Sequence, residues 1–141
     1  MDAALQEEVR KGYGDEGPSE AFRRNVERIR QQLRDTLEQI RRRGQRVYGY
    51  GASTKGNVLL QYCRVGPNDV IAIADRNPHK VGRCTLGTRI PICSEDEMRN
   101  AHPEYLLILP WHFLDEFLER EQALRASGTQ FIVAFPHVRI L

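Results

Sequence analysis

Cysteine is scarce in this chain. The three residues, Cys63, Cys84 and Cys93, form no Cys-x-x-Cys pair and have no clustered histidine partners. That spacing excludes a zinc ribbon or a thioredoxin-type redox motif and leaves reduced thiols, buried or half-buried beside core elements. Long apolar runs are missing too: none approaches the roughly 18 residues a membrane-spanning helix needs. Met1–Arg10 is acidic and amphipathic, unlike a secretory leader. The expectation is a cytoplasmic protein with no membrane contact. Net charge is only +2, which argues neither for nor against nucleic acid. No Gly-Lys-Ser/Thr run is present, so there is no Walker A loop. His79, His102 and His137 each adjoin a proline and read as turn or surface residues. His112 follows Trp111, but no serine, cysteine or carboxylate is visibly paired with it, so no nucleophile–base couple stands out.

What is present is an ordinary globular composition, 40% hydrophobic and 28% charged. A chain of 141 residues corresponds to one domain and buries about two-thirds of its unfolded surface. Residues 1–18 read as a lead-in, with Gly12, Gly14 and Gly17-Pro18 interrupting any short helix. Residues 19–141 form the domain proper.

A long helix spans 19–43. Phe22, Val26, Ile29, Leu33, Leu37 and Ile40 recur every three or four residues and draw one apolar stripe. Ser19 suits the N-cap, Arg41–Arg43 suit the last turn and Gly44 ends it. Residues 20–46 hold nine arginines against four acids. Two readings stand for that excess: a solvated face with pairs such as Arg34–Glu38, or a contact surface for another domain or an anion.

From Gln45 strands and helices alternate. Val47–Tyr50, Val70–Ala74, Thr88–Ile92, Tyr105–Leu109 and Phe131–Phe135 read as strands. Ser94, with Glu97 three residues on, has capping-box spacing and opens a brief helix. Phe113–Ala126 reads as one helix with Phe113, Phe117 and Leu124 inward and Gly128 closing it. Nearly continuous apolar strands between helices imply a parallel sheet covered on both faces. The fold class is therefore α/β: a Rossmann-like sheet of about five parallel strands, preceded by one long helix.

The first strand leads into Gly49-Tyr50-Gly51-Ala52-Ser53-Thr54-Lys55-Gly56-Asn57, a glycine turn opening a helix. Gly49 and Gly51 free the backbone to turn, and Ser53 or Thr54 caps the helix. Such a junction aims unpaired N–H groups and a helix dipole at one spot suited to phosphate, to which Lys55 adds a cation. The Gly-x-Gly half of a dinucleotide fingerprint is present, but Thr54 takes the third glycine's place and Gly56 comes two residues later. A tight βα turn without a ligand accounts for the glycines equally well. Ligands of such sheets sit outside the carboxyl ends of the strands, which gathers 51–57, Asp75–Lys80 and Pro110–His112 on one rim. Asp75, 24 residues after Gly51, is either the acid that meets a ribose or a cap for the Asn77-Pro78 turn. Lys80 and Arg83 either face a diphosphate or are simply solvated.

This same stretch resembles the C-terminal domain of S-adenosylmethionine-dependent sugar C-methyltransferases. Further matches follow in order: Asp75-Arg76-Asn77-Pro78-His79-Lys80, Gly87-Thr88-Arg89-Ile90-Pro91-Ile92, Tyr105-Leu106-Leu107-Ile108-Leu109-Pro110-Trp111 and Phe135-Pro136-His137-Val138-Arg139-Ile140. The resemblance covers roughly residues 5–141. It implies a longer parent enzyme, with a zinc-binding domain and a methyl-donor domain ahead of this one. The chemistry it implies is methyl transfer to carbon of a nucleotide-linked keto-deoxysugar: a base removes the proton beside the ketone and the enolate attacks the sulfonium methyl. The base and the S-adenosylmethionine site belong to the donor domain, so this domain binds no cofactor or metal and supplies no catalytic residue. Its implied part is to hold the nucleotide diphosphate-sugar, with Gly49, Gly51, Ala52, Ser53, Thr54, Lys55, Gly56, Asn57, Asp75, Lys80, Trp111 and His112 as the binding residues. Three positions depart from the family pattern: His112 where asparagine is usual, Leu86 where proline is, and Val81 where glutamine is.

Two other functions compete with that reading. Gly49-x-Gly51 and Asp75 suit a self-standing dinucleotide-binding, dehydrogenase-like domain, although five strands make barely one lobe and no catalytic residues follow. The arginine-rich helix suits a non-enzymatic interaction module. It lacks the interleaved aromatics that stack on bases, so nucleic acid is not the expected partner.

Overall fold

A computed structural model describes residues 18–141, and the lead-in expected over residues 1–17 lies outside the described residues. Helix α1 (Pro18–Arg42) precedes β1 (Val47–Tyr50), α2 (Thr54–Tyr62), β2 (Ile73–Ala74), β3 (Ile92–Cys93) and α3 (Glu95–Ala101). Then come β4 (Tyr105–Ile108), a 3-10 turn (Trp111–Phe113), α4 (Leu114–Arg120), α5 (Gln122–Ala126), β5 (Gln130–Val133) and β6 (Arg139–Ile140).

The six strands lie in the order β3-β2-β1-β4-β5-β6. Val47 to Tyr50 pair with Tyr105 to Ile108 on one side, and Gly49 and Tyr50 with Ile73 and Ala74 on the other, all parallel. Chain order reverses between β1 and β4, so the crevice at their carboxyl ends is the switch point of a Rossmann-like sheet. The parallel part has the expected five strands. The sixth, β6, is an addition: it pairs antiparallel with β5 through Ile132↔Ile140 and Val133↔Arg139.

Strand alternation divides the core into two layers. Val47, Ile73, Tyr105, Leu107, Leu109 and Ile132 face one side and pack with Ile29, Leu33, Leu37 and Ile40 of α1 and Leu60 of α2. Tyr50, Ala74, Leu106, Ile108, Phe131 and Val133 face the other, against Met98 of α3 and Leu124 of α5. Helix α1 thus lies on the domain along most of its stripe, and Phe22, 48% exposed, falls off its end. Arg34 does not pair with Glu38: its guanidinium donates to Asp69 Oδ2 at 2.8 Å, tying α1 to the turn before β2, while Glu38 meets Arg41 and Arg42.

Four local expectations are corrected. The third strand is shorter than Thr88–Ile92, because Arg89 has φ 58° and Ile90 N–H donates to Thr85 Oγ1, making a turn that delays pairing until Ile92. The helix expected over 113–126 is broken at Glu121, whose backbone leaves helical values (φ −105°, ψ 33°) and whose carboxylate is buried. Phe113 faces out at 54% exposure, because Trp111–Phe113 form a 3-10 turn that changes the phase of the helix after it. Cys84 is exposed, unlike Cys63 and Cys93, whose thiols burial pushes up to about 11.

Candidate functional site

The site is built around the β1–α2 turn. Gly51 has φ 87°, and a Cβ there would sit 2.7 Å from Pro110 Cδ, so both conformation and space require glycine. Gly56 is the buried contact between α2 and β4: a Cβ there would lie 2.6 Å from that of Leu109. Close packing of the helix against a neighbouring strand is the task of the third fingerprint glycine. The task is present here, displaced two residues along the chain.

Ser53, not Thr54, is the cap. Its backbone is extended (φ −92°, ψ 162°), its Oγ accepts from Gly56 N–H at 3.1 Å and its carbonyl accepts from Asn57 N–H at 2.9 Å. The cap therefore leaves Thr54 and Lys55, at the first two helical positions, as the N–H donors it does not use. Ala52 N–H is not among them, since it donates to Asp75 Oδ2 at 2.8 Å.

Of the two parts expected of Asp75, the bonding is that of a turn cap. The residue stands at the end of β2 on the rim, and Oδ1 accepts from Asn77 N–H at 2.8 Å, the turn-capping role. Its other oxygen holds the glycine turn. Lys80 reaches across to donate to Ala52 O at 2.8 Å and lies 4.0 Å from Asp75 Oδ2. Asp75 and Lys80 together thus grip Ala52 by its N–H and its carbonyl.

On the opposite side Lys55 Nζ lies 3.1 Å from His112 Nε2, a contact in which the ammonium donates to an imidazole lone pair. His112 is carried there by the 3-10 turn after β4. Trp111 stacks beside it and Phe135, with ring centroids 5.4 and 5.2 Å away, and its Nε1 is buried without a partner. The turn, Asp75, Lys80 and the Trp111–His112 pair are thus gathered on one rim. Gly49 stands apart inside β1, where its missing side chain admits Ile73.

Two open clefts flank the turn. One, of about 240 Å³, lies beside Gly51 and Asp75 and is walled by Tyr50, Arg76, Phe113 and Phe117. The other, of about 300 Å³, lies beside Ser53, Thr54 and Asn57, with Lys80, Arg83 and Cys84 opposite. Among the described residues no group of three or more His, Cys, Asp or Glu could hold a metal ion, and no helix is long and apolar enough to cross a membrane.

A polar centre behind the first cleft escaped the sequence. Tyr50 O–H donates to Glu121 Oε2 at 2.6 Å, and Arg99 donates to both Glu121 oxygens at 2.6 and 3.0 Å. Burial alone would raise the Glu121 carboxyl, but the hydrogen bonds from Arg99 and Tyr50 hold it below the usual range. Burial first, and then the bond to Glu121, push the Tyr50 hydroxyl up. A tyrosine inside a sheet signals a need for a partner. Nothing local names a glutamate 71 residues away.

Comparison with known proteins agrees with the fold and the motifs. The profile of the C-methyltransferase C-terminal domain matches residues 1–136. The chain is similar to the C-methyltransferase NovU of Streptomyces niveus, with 34% identity over 137 residues, which is 97% of this chain and 33% of that protein. It therefore spans about a third of the length of that relative. With a match over nearly its whole length, a Rossmann-like sheet and the glycine turn in place, the chain belongs to the C-methyltransferase C-terminal domain family.

Proposed function

We propose that residues 19–141 are the substrate-holding domain of an S-adenosylmethionine-dependent C-methyltransferase, gripping the diphosphate of a nucleotide-linked keto-deoxysugar at the β1–α2 turn. The observation that carries this reading is the capped start of α2, where the Thr54 and Lys55 N–H groups are left over beside the Lys55 ammonium. Helix dipole, N–H donors and cation then act on the same anion. Holding the sugar supplies orientation, while proton removal and methyl transfer belong to a further domain of the same polypeptide. The methyl donor is assigned to that further domain as well. The chain alone is expected neither to bind S-adenosylmethionine nor to transfer methyl groups.

A titration followed by NMR, using a thymidine diphosphate-sugar, tests the reading. Half a cleft must offset the ligand's lost motion, so affinity is expected in the high-micromolar to millimolar range. Shifts should centre on residues 51–57, 75–80 and 111–112. Lys55→Ala should weaken binding and flatten its salt dependence, whereas Arg41→Ala should change neither. Shifts clustered on residues 23–43, or none at about ten millimolar ligand, would reject the site.

A further inference from the structure

The first cleft holds a residue that neither core packing nor the diphosphate explains. Phe113, 54% exposed, lines it at the end of the 3-10 turn that follows β4. Phe117 and Tyr50 form the inner wall, their rings 4.8 Å apart, and Arg76 stands on the other side next to Asp75. The cleft opens at Gly51, so it begins where the diphosphate grip ends. On the wall of a cleft of about 240 Å³ the Phe113 ring is within reach of a flat ligand.

We propose that Phe113 is the stacking platform for the nucleobase of the bound nucleoside diphosphate. This inference rests on the diphosphate reading above and adds to it the place and chemistry of the base. Three features support it. The cleft is contiguous with the turn through Gly51, so a nucleoside can reach it from a diphosphate held at Thr54 and Lys55. Asp75, partly buried with 13% of its side chain exposed, lies between the two and can accept from a ribose hydroxyl on lone pairs its two N–H partners leave. Tyr50, Phe113 and Phe117 line the cleft among charged side chains, and aromatic faces take any base through its π-surface, while Glu116, also on its lining, offers an acceptor to a base-edge N–H. The second cleft, beside Lys80, Arg83 and Cys84, has no aromatic side chain on its walls and does not fit a base.

Calorimetry on the full chain with thymidine diphosphate and with inorganic pyrophosphate, each against wild type, Phe113→Ala and Phe113→Tyr, tests the proposal. Thymidine diphosphate should bind wild type more tightly than pyrophosphate. Phe113→Ala should weaken the nucleotide about 5- to 150-fold, the range seen on removing one aromatic platform per base. It should leave pyrophosphate affinity unchanged, and Phe113→Tyr should restore nucleotide affinity. Because the ring is half exposed, both variants should melt within a few degrees of wild type, and a matching melting curve accompanies each titration. Equal affinity of the two ligands, or equal losses for both in Phe113→Ala, would overturn the platform and leave the diphosphate grip standing. Absence of binding by both ligands to wild type would overturn the grip and the platform with it.

Discussion

The two faces of the sheet are filled by different means. Against α1 and α2 the interior is almost wholly apolar, with Leu33, Leu37, Leu60, Ile73 and Leu107 all fully buried. Against α3, α4 and α5 the apolar layer surrounds a buried hydroxyl and carboxylate, those of Tyr50 and Glu121, joined to the half-buried guanidinium of Arg99. The first face gains stability from area and tolerates apolar side chains of the right volume. The second needs specific partners, because each polar group left without one incurs its full desolvation penalty. That second face lies directly behind the proposed base cleft, where Tyr50 serves as both wall and network member. Rigid polar bonding is thus placed under the site, and forgiving apolar packing away from it.

Truncation separates the faces most strongly. Leu33→Ala should cost about 2–5 kcal/mol in a denaturant titration, since the side chain is fully buried between α1 and the sheet. A loss below about 0.5 kcal/mol, the range of surface changes, would mean that α1 does not belong to the folded unit. Glu121→Gln comes next, at about 1–3 kcal/mol. The lower part of that range is expected, because Arg99 is a third exposed and keeps Glu95 and Asp96 as partners. The same variant has a pH signature. The folded-state carboxyl of Glu121 is depressed, so its contribution is complete above the unfolded value near 4.5 and is lost as pH falls through the folded one. Wild type should therefore lose its advantage over Glu121→Gln as pH drops below about 4.5, in paired unfolding curves. An advantage constant with pH would move the effect from charge to shape. Arg42→Ala should change stability by less than about 0.5 kcal/mol, since its pair with Glu38 is exposed and screened. A larger change would show that the arginine-rich surface of α1 contributes to stability after all.

The contrast also explains which parts could be read from residues. Ile29, Leu33, Leu37 and Ile40 bury the stripe their spacing draws, because helical period maps directly onto an apolar face. Gly51 has the positive φ its place in the turn suggests, and Ser94 caps its helix with the Glu97 N–H. Phe113 misled because a 3-10 turn over three residues resets the phase of the helix that follows. Arg139-Ile140 carry no strand pattern over two residues, and their pairing is decided by the free edge of β5. Lys80 reads as facing a diphosphate or solvated, but its bond to Ala52 O depends on how the loop after β2 returns to the turn, which no local pattern encodes. Partners distant in sequence, such as Tyr50 and Glu121, are set by topology.

The grip of Asp75 and Lys80 on Ala52 reaches beyond geometry. Ala52 N–H and Ala52 O belong to two successive peptide planes, and each is tied to a separate side chain from the loop after β2. Neither plane can rotate without breaking a bond, so the turn cannot exchange a donor surface for an acceptor surface as an unrestrained glycine turn can. Its polarity is settled before any ligand arrives. The proposed diphosphate would then meet a surface that needs no reordering, the entropy of shaping the loop having been given up during folding rather than at the moment of binding.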